Sequence, residues 1–164
     1  MDFTTLLRFI HIFSAIFWMG TTLFMLFFLE PVIQRAGQAG GQVMQLLAGT
    51  TRFPQVIALS GILTVLAGLL MYWRLYGFDP GIMFGARLPL TLGALAGFLA
   101  VITGFAFQNR AVKQLVALGA ELAAQNGPPS PAQMGQMQAH QARIALGTRI
   151  AGVLMIIAVI GMVM

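Results

Sequence analysis

Four apolar stretches, each long enough to cross a lipid bilayer, decide what this chain can fold into. A bilayer core of about 30 Å needs about 20 residues at 1.5 Å each. The first stretch runs over about 6–29 and ends at Glu30-Pro31. The second covers about 54–76, with Pro54 suited to a first helical turn. The third begins near Arg87-Leu88-Pro89 and stays apolar to Phe107. The fourth is apolar from Ile144 to Met164. The pattern predicts an all-α fold: one transmembrane domain over 1–164, an integral membrane four-helix bundle whose partner is the lipid bilayer.

The connections differ in kind. After Phe107 the segment QNRAVKQLVALGAELAAQ keeps helical periodicity while its polarity rises, so the third helix extends over about 88–125. NGPPSP breaks the chain, and AQMGQMQAHQARI leads into a fourth helix over about 132–164. Helices three and four therefore project together beyond the bilayer on one side. In the first connection, GQAGGQ followed by the apolar Val43–Leu47 suits a short interfacial helix, whereas GFDPGIMFGAR forms a Gly/Pro turn.

Charge supports this solvent assignment. Only 8% of residues are charged, against about 25% in soluble domains. The net charge of +5 and pI near 11.2 would suggest nucleic acid in a soluble protein. Here Lys and Arg are spread thinly between apolar blocks, as residues flanking membrane helices are, and nucleic acid is not expected. The absence of cysteine excludes disulfides, thiolate metal sites and cysteine catalysis. The first apolar stretch is too long for a signal-peptide core and lacks a small-residue cleavage site after it, so it reads as a permanent helix. The first and third connections hold Arg35, Arg52, Arg110, Lys113 and Arg143; the other side holds Arg8, Arg74 and Arg87. That bias places both termini outside the cytoplasm.

Small residues recur where helices meet. Ser60, Thr64 and Gly68 are spaced by four, and Gly93 and Gly97 form GxxxG with Gly104 beyond. Such positions admit close backbone approach in lipid, within the bundle or across a homodimer or larger membrane complex.

His11 is the most informative single residue. It lies about one and a half turns inside the first span, where an ionisable group is costly and marks a functional candidate. A helical face carries His11, Ser14 or Ala15, Trp18, Thr22 and Met25, and points inward. A neutral imidazole can ligate heme iron or copper through one nitrogen while the other is held by a hydrogen bond; the alternative is an interfacial histidine bonded to a neighbour or headgroup. His140 lies on the opposite side of the membrane, about 20 Å or more away. Met71 and Met162 lie at about the depth of His11 and are the candidate thioether ligands for heme or Cu(I), with Met83 a further candidate for copper. Most of the eleven methionines pack. Arg87 has the geometry for a heme propionate, or for a snorkelling anchor. Arg149, inside the fourth span, calls for a buried acid, a cofactor acid group or a water pocket. It either converges with Arg52 and His140 or pairs with Glu30. No hydrolase triad, phosphate loop or carboxylate pair is present.

FIHIFSAIFWMGTTLF resembles the first helix of the CopD-like and HemJ-type four-helix membrane proteins, and FLEPVI the proline that closes it. RFPQVIALSGILTVLAGLL is similar to their second helix, FGARLPLTLGAL to the start of their third, and GTRIAGVLMIIAVIGMVM to their last. The resemblance covers most of the chain outside 108–142. It implies a b-type heme with His11 as axial ligand, or copper handling. The HemJ-type Lys maps onto Arg87. Arg can serve neither as a base nor as an iron ligand, so protoporphyrinogen oxidase activity is disfavoured. The leading expectation is a bacterial inner-membrane heme b protein in electron transfer or small-molecule redox. His11 would bind iron, with Arg87, Trp18 and Arg149 around the cofactor. Copper handling and a non-catalytic subunit of a larger complex are the alternatives.

Overall fold

A computed structural model describes residues 2–125 and 127–164, leaving out the side chain of Gln38. Asn126, inside the NGPPSP break, lies outside the described residues. The helices are α1 (Phe3–Ala36), α2 (Gln38–Gly49), α3 (Phe53–Tyr76), α4 (Pro80–Met83), α5 (Leu88–Ala124) and α6 (Pro131–Val163). No strand occurs among the described residues. Four of these helices are long and apolar enough to span a membrane: α1, α3, α5 and α6, with 34, 24, 37 and 33 residues.

Length sets the shape. At 1.5 Å per residue, α5 and α6 measure about 55 and 50 Å, against a bilayer core of about 30 Å. Their polar ends extend beyond the membrane on one side. Ser130 starts α6 with a capping box, its hydroxyl accepting from the Gln133 amide while the Gln133 side chain accepts from the Ser130 amide. Gln125 and Gln133 tie the two projecting ends together by side-chain hydrogen bonds. Helix α2 packs on this projection, Gly49 meeting Val116.

One sequence expectation is corrected. The first helix does not stop at Glu30-Pro31 but continues to Ala36. Proline lacks an N–H, and its ring clashes with the carbonyl four residues earlier. The turn before it, Met25–Leu29, widens into a π-helix, which makes room for the ring and carries the helix through. Gly37 then reverses the chain at φ 55°, a conformation open to glycine.

The interior is built from small and hydroxyl-bearing residues, and large apolar side chains face outward. Ser14, Thr22, Ser60, Thr64 and Thr103 are buried, with Ala67, Ala96, Ala100 and Ala151. Each of those five hydroxyls donates to a carbonyl one turn back in its own helix, so none is stranded. Phe9, Ile16, Leu59, Leu95 and Ile160 are exposed. This arrangement suits lipid, where association rests on close packing rather than on hiding apolar bulk.

The bundle consists of two tight pairs, α1 with α3 and α5 with α6, joined by looser contacts. In the α5–α6 pair, Gly93 and Gly161 let backbone meet backbone. A Cβ on Gly161 would fall 2.8 Å from the Gly93 Cα. The GxxxG stripe of the third span is thus used inside the chain.

Candidate functional site

The α1–α3 pair is joined by aromatic rings lying on glycine. His11 sits over Gly68, where an added Cβ would come within 2.9 Å of the ring Cε1 and 3.0 Å of Nδ1. Seven residues on, Trp18 sits over Gly61, where a Cβ would come within 3.1 Å of the indole. The equal spacing, seven residues on each antiparallel helix, keeps both rings on one seam.

His11 Nδ1 lies 2.7 Å from the backbone carbonyl oxygen of Thr64. A carbonyl only accepts, so Nδ1 carries the hydrogen, and in the neutral ring the lone pair is left on Nε2. Thr64 O is also the carbonyl that the Gly68 amide reaches in α-helical pairing. The missing side chain at Gly68 is what lets the imidazole share it. Nε2 has no hydrogen-bond partner among the described residues. It is not sealed in, because no fully buried polar side-chain atom among them lacks a partner. The result is a half-buried imidazole of defined tautomer with an open donor nitrogen, as metal-ligating histidines are held.

The other sequence candidates fall around this point unevenly. Met71 is half-buried and lies three residues beyond Gly68, on the neighbouring turn of the same face. Met162 faces outward, 41% exposed. The Met83 carbonyl accepts from Thr91, whose hydroxyl also meets Tyr72 at 2.7 Å. Arg87 caps α5 with its guanidinium over the Tyr76 ring, 5.7 Å from the centroid. Among the described residues no carboxylate pairs with Arg87. Arg74 meets the Thr4 hydroxyl and the Phe3 ring. Arg149 Nη2 donates to Glu30 Oε1 at 2.9 Å, which is the ion-pair alternative of the two readings open for Arg149. Among the described residues no group of three or more His, Cys, Asp or Glu is placed to hold a metal ion.

A cavity of about 670 Å³ opens between the two helix pairs. Trp18 borders its deep end, but His11 does not line it, so the two aromatic groups expected in one pocket serve different places. The cavity continues past Met25, Gly104 and Phe105 to Gln108 and Lys113. α5 widens into a π-helix over Gly104–Asn109. The Gln108 amide there donates to the Thr148 hydroxyl at 3.1 Å. Sequence reasoning missed two things at these sites. Thr64 and Gly68 read as a packing stripe, with no sign that a carbonyl between them would face His11. The cavity has no linear signal at all, because its walls come from five separate segments.

The chain matches no family model, no curated protein and no solved structure.

Proposed function

We propose that this chain is a bacterial inner-membrane b-type heme protein in electron transfer or small-molecule redox, with His11 Nε2 as an axial ligand and both termini outside the cytoplasm. The observation that carries the reading is the Nδ1–Thr64 carbonyl hydrogen bond with Nε2 left open. That bond fixes the tautomer and ring angle and makes Nε2 a stronger donor. Gly68 admits the ring without spreading the helices. The donor set fits one axial position. Arg87, with no acid partner among the described residues, would hold a propionate, and Met71 is the nearest thioether by helical register. Bound heme would supply a one-electron couple; the chain's own part is to hold and orient the imidazole. The motif resemblance to CopD-like and HemJ-type proteins points the same way.

Copper handling is the second reading, favoured by the Met71 register beside Gly68, since an imidazole with a thioether suits Cu(I). One preparation separates the two. The detergent-purified protein from heme-replete cells is expected to show a Soret band that His11→Ala abolishes while the helical circular dichroism persists. Stoichiometric copper without a Soret band would shift the assignment to copper. Folded protein with neither, or an unchanged spectrum in His11→Ala, would overturn both.

A further inference from the structure

The cavity between the helix pairs is a second place where the chain can do something, separate from His11. Its wall follows α5. From Val101 to Lys113, both on its wall, α5 advances twelve residues, about 18 Å. Polarity changes along that path. The inner part is walled by Trp18, Ile57 and Val101, and the wall continues to Phe105, which is 44% exposed. Towards the projecting helices the wall carries Gln55, Asn109 and Lys113, with the apolar Met44, Leu47, Val112 and Val116 beside them. The three polar residues are exposed, so they stand at its mouth.

The charge at that mouth is one-sided. Among the described residues Lys113 is the only ionisable side chain on the wall, which has no Asp or Glu, and it makes no ion pair with any of them. The volume is that of a site for one small ligand. Both π-helical turns among the described residues border this space, Met25 from one and Gly104 from the other. Such widened turns recur at functional sites. At Gly104 an added Cβ would meet nothing within 4 Å, so the room beside it is unfilled by protein.

We infer that this cavity binds one single-chain amphiphile with a carboxylate head, its tail against Trp18 and Phe105 and its head at Lys113. A tail in the deep part replaces lipid contacts with protein contacts. A single carboxylate matches the single ammonium and accepts from the amides of Gln55 and Asn109. A zwitterionic head would leave its cation without an acid.

The chain offers its own reporter. It has two tryptophans; Trp18 borders the cavity, and Trp73 is 59% exposed near the opposite end of α3. In a Trp73→Phe background, brominated palmitate added to the detergent-purified protein is expected to quench Trp18 saturably near one per chain, reversibly by unbrominated palmitate. Gly104→Leu grows a side chain into the open space and is expected to weaken that binding at least tenfold. Lys113→Gln is expected to weaken the carboxylate at least fivefold and to leave the brominated methyl ester unchanged. Quenching that rises without saturation, equally in Gly104→Leu, would mean that the chain merely mixes with the detergent belt and would overturn the site. Equal affinity for acid and ester, or for a brominated two-chain phosphatidylglycerol, would overturn the assigned ligand. Should Gly104→Leu fail to fold, Lys113→Gln alters only an exposed side chain and keeps the test decisive.

Discussion

The two helix pairs use glycine for opposite purposes. In the α5–α6 pair, Gly93 and Gly161 bring two backbones into contact, and nothing softer lies between them. In the α1–α3 pair, Gly61 and Gly68 make room for an indole and an imidazole. The first seam can only be tight or broken. The second holds side chains that can turn, and one of them is hydrogen-bonded across the seam. A glycine in a membrane helix therefore says nothing of function until the atom facing it is known.

Alanine at each seam is the direct way to break that contrast. Gly161→Ala puts a methyl against the Pro89 carbonyl and the Gly93 Cα. Neither can move without separating the helices, so a loss of about 2 kcal/mol is expected, at the level of overpacked cores. Thermal unfolding in detergent measures it. An unchanged midpoint would show that the seam is looser than described. Gly68→Ala should disturb the fold less, by about 1 kcal/mol, because the imidazole can swing aside. In swinging it gives up the Thr64 carbonyl, so any signal from a group on Nε2 should change while stability falls less than in Gly161→Ala. If Gly68→Ala proves as damaging as Gly161→Ala, the distinction between the seams is lost.

How far the sequence reveals these seams depends on what kind of signal each leaves. The spans and the projecting ends of α5 and α6 are legible, because twenty apolar residues in a row and a firm NGPPSP break are local facts. The GxxxG of the third span is legible as a contact but not as to its partner, since Gly161 lies more than sixty residues beyond Gly93. The passage of α1 through Pro31 is hidden because proline normally ends a helix, and only a widened turn at Met25–Leu29 rescues it. His11 stands out by its depth. The acceptor on Nδ1 does not, because every residue has a carbonyl and only packing decides which one faces the ring. Trp18 reads correctly as inward, yet its neighbour is the cavity rather than the imidazole.

Among the described residues one ion pair also joins the two helix pairs. Glu30 on α1 is largely covered, with 17% of its side chain exposed, whereas Arg149 on α6 is 61% exposed. Solvent and headgroups screen such a pair, so it contributes below about 1 kcal/mol. Glu30→Gln is expected to lower stability by no more than that and to leave both glycine seams intact. A loss as large as that of Gly161→Ala would mean that α1 and α6 are held together chiefly by charge.

The smallest expected effect separates the two pairs at their first turns. Asp2 caps α1, accepting from the Thr5 amide at 2.6 Å, while the uncharged Ser130–Gln133 box caps α6. The Thr5 amide, then its hydroxyl, hold the Asp2 carboxyl below its ordinary value, with Arg74 adding a little. A carboxylate lowered on folding contributes stability above its unfolded value and loses it as pH falls through the folded one. The first turn of α1 should therefore fray on acidification below the ordinary carboxylate range, while the start of α6 stays put. Asp2→Asn keeps a capping oxygen and should remove the pH dependence; Asp2→Ala should fray the turn at every pH. Amide hydrogen exchange around Thr5 and Gln133 measures both ends in one sample. Equal acid sensitivity at the two ends would show that the carboxylate is not what closes α1.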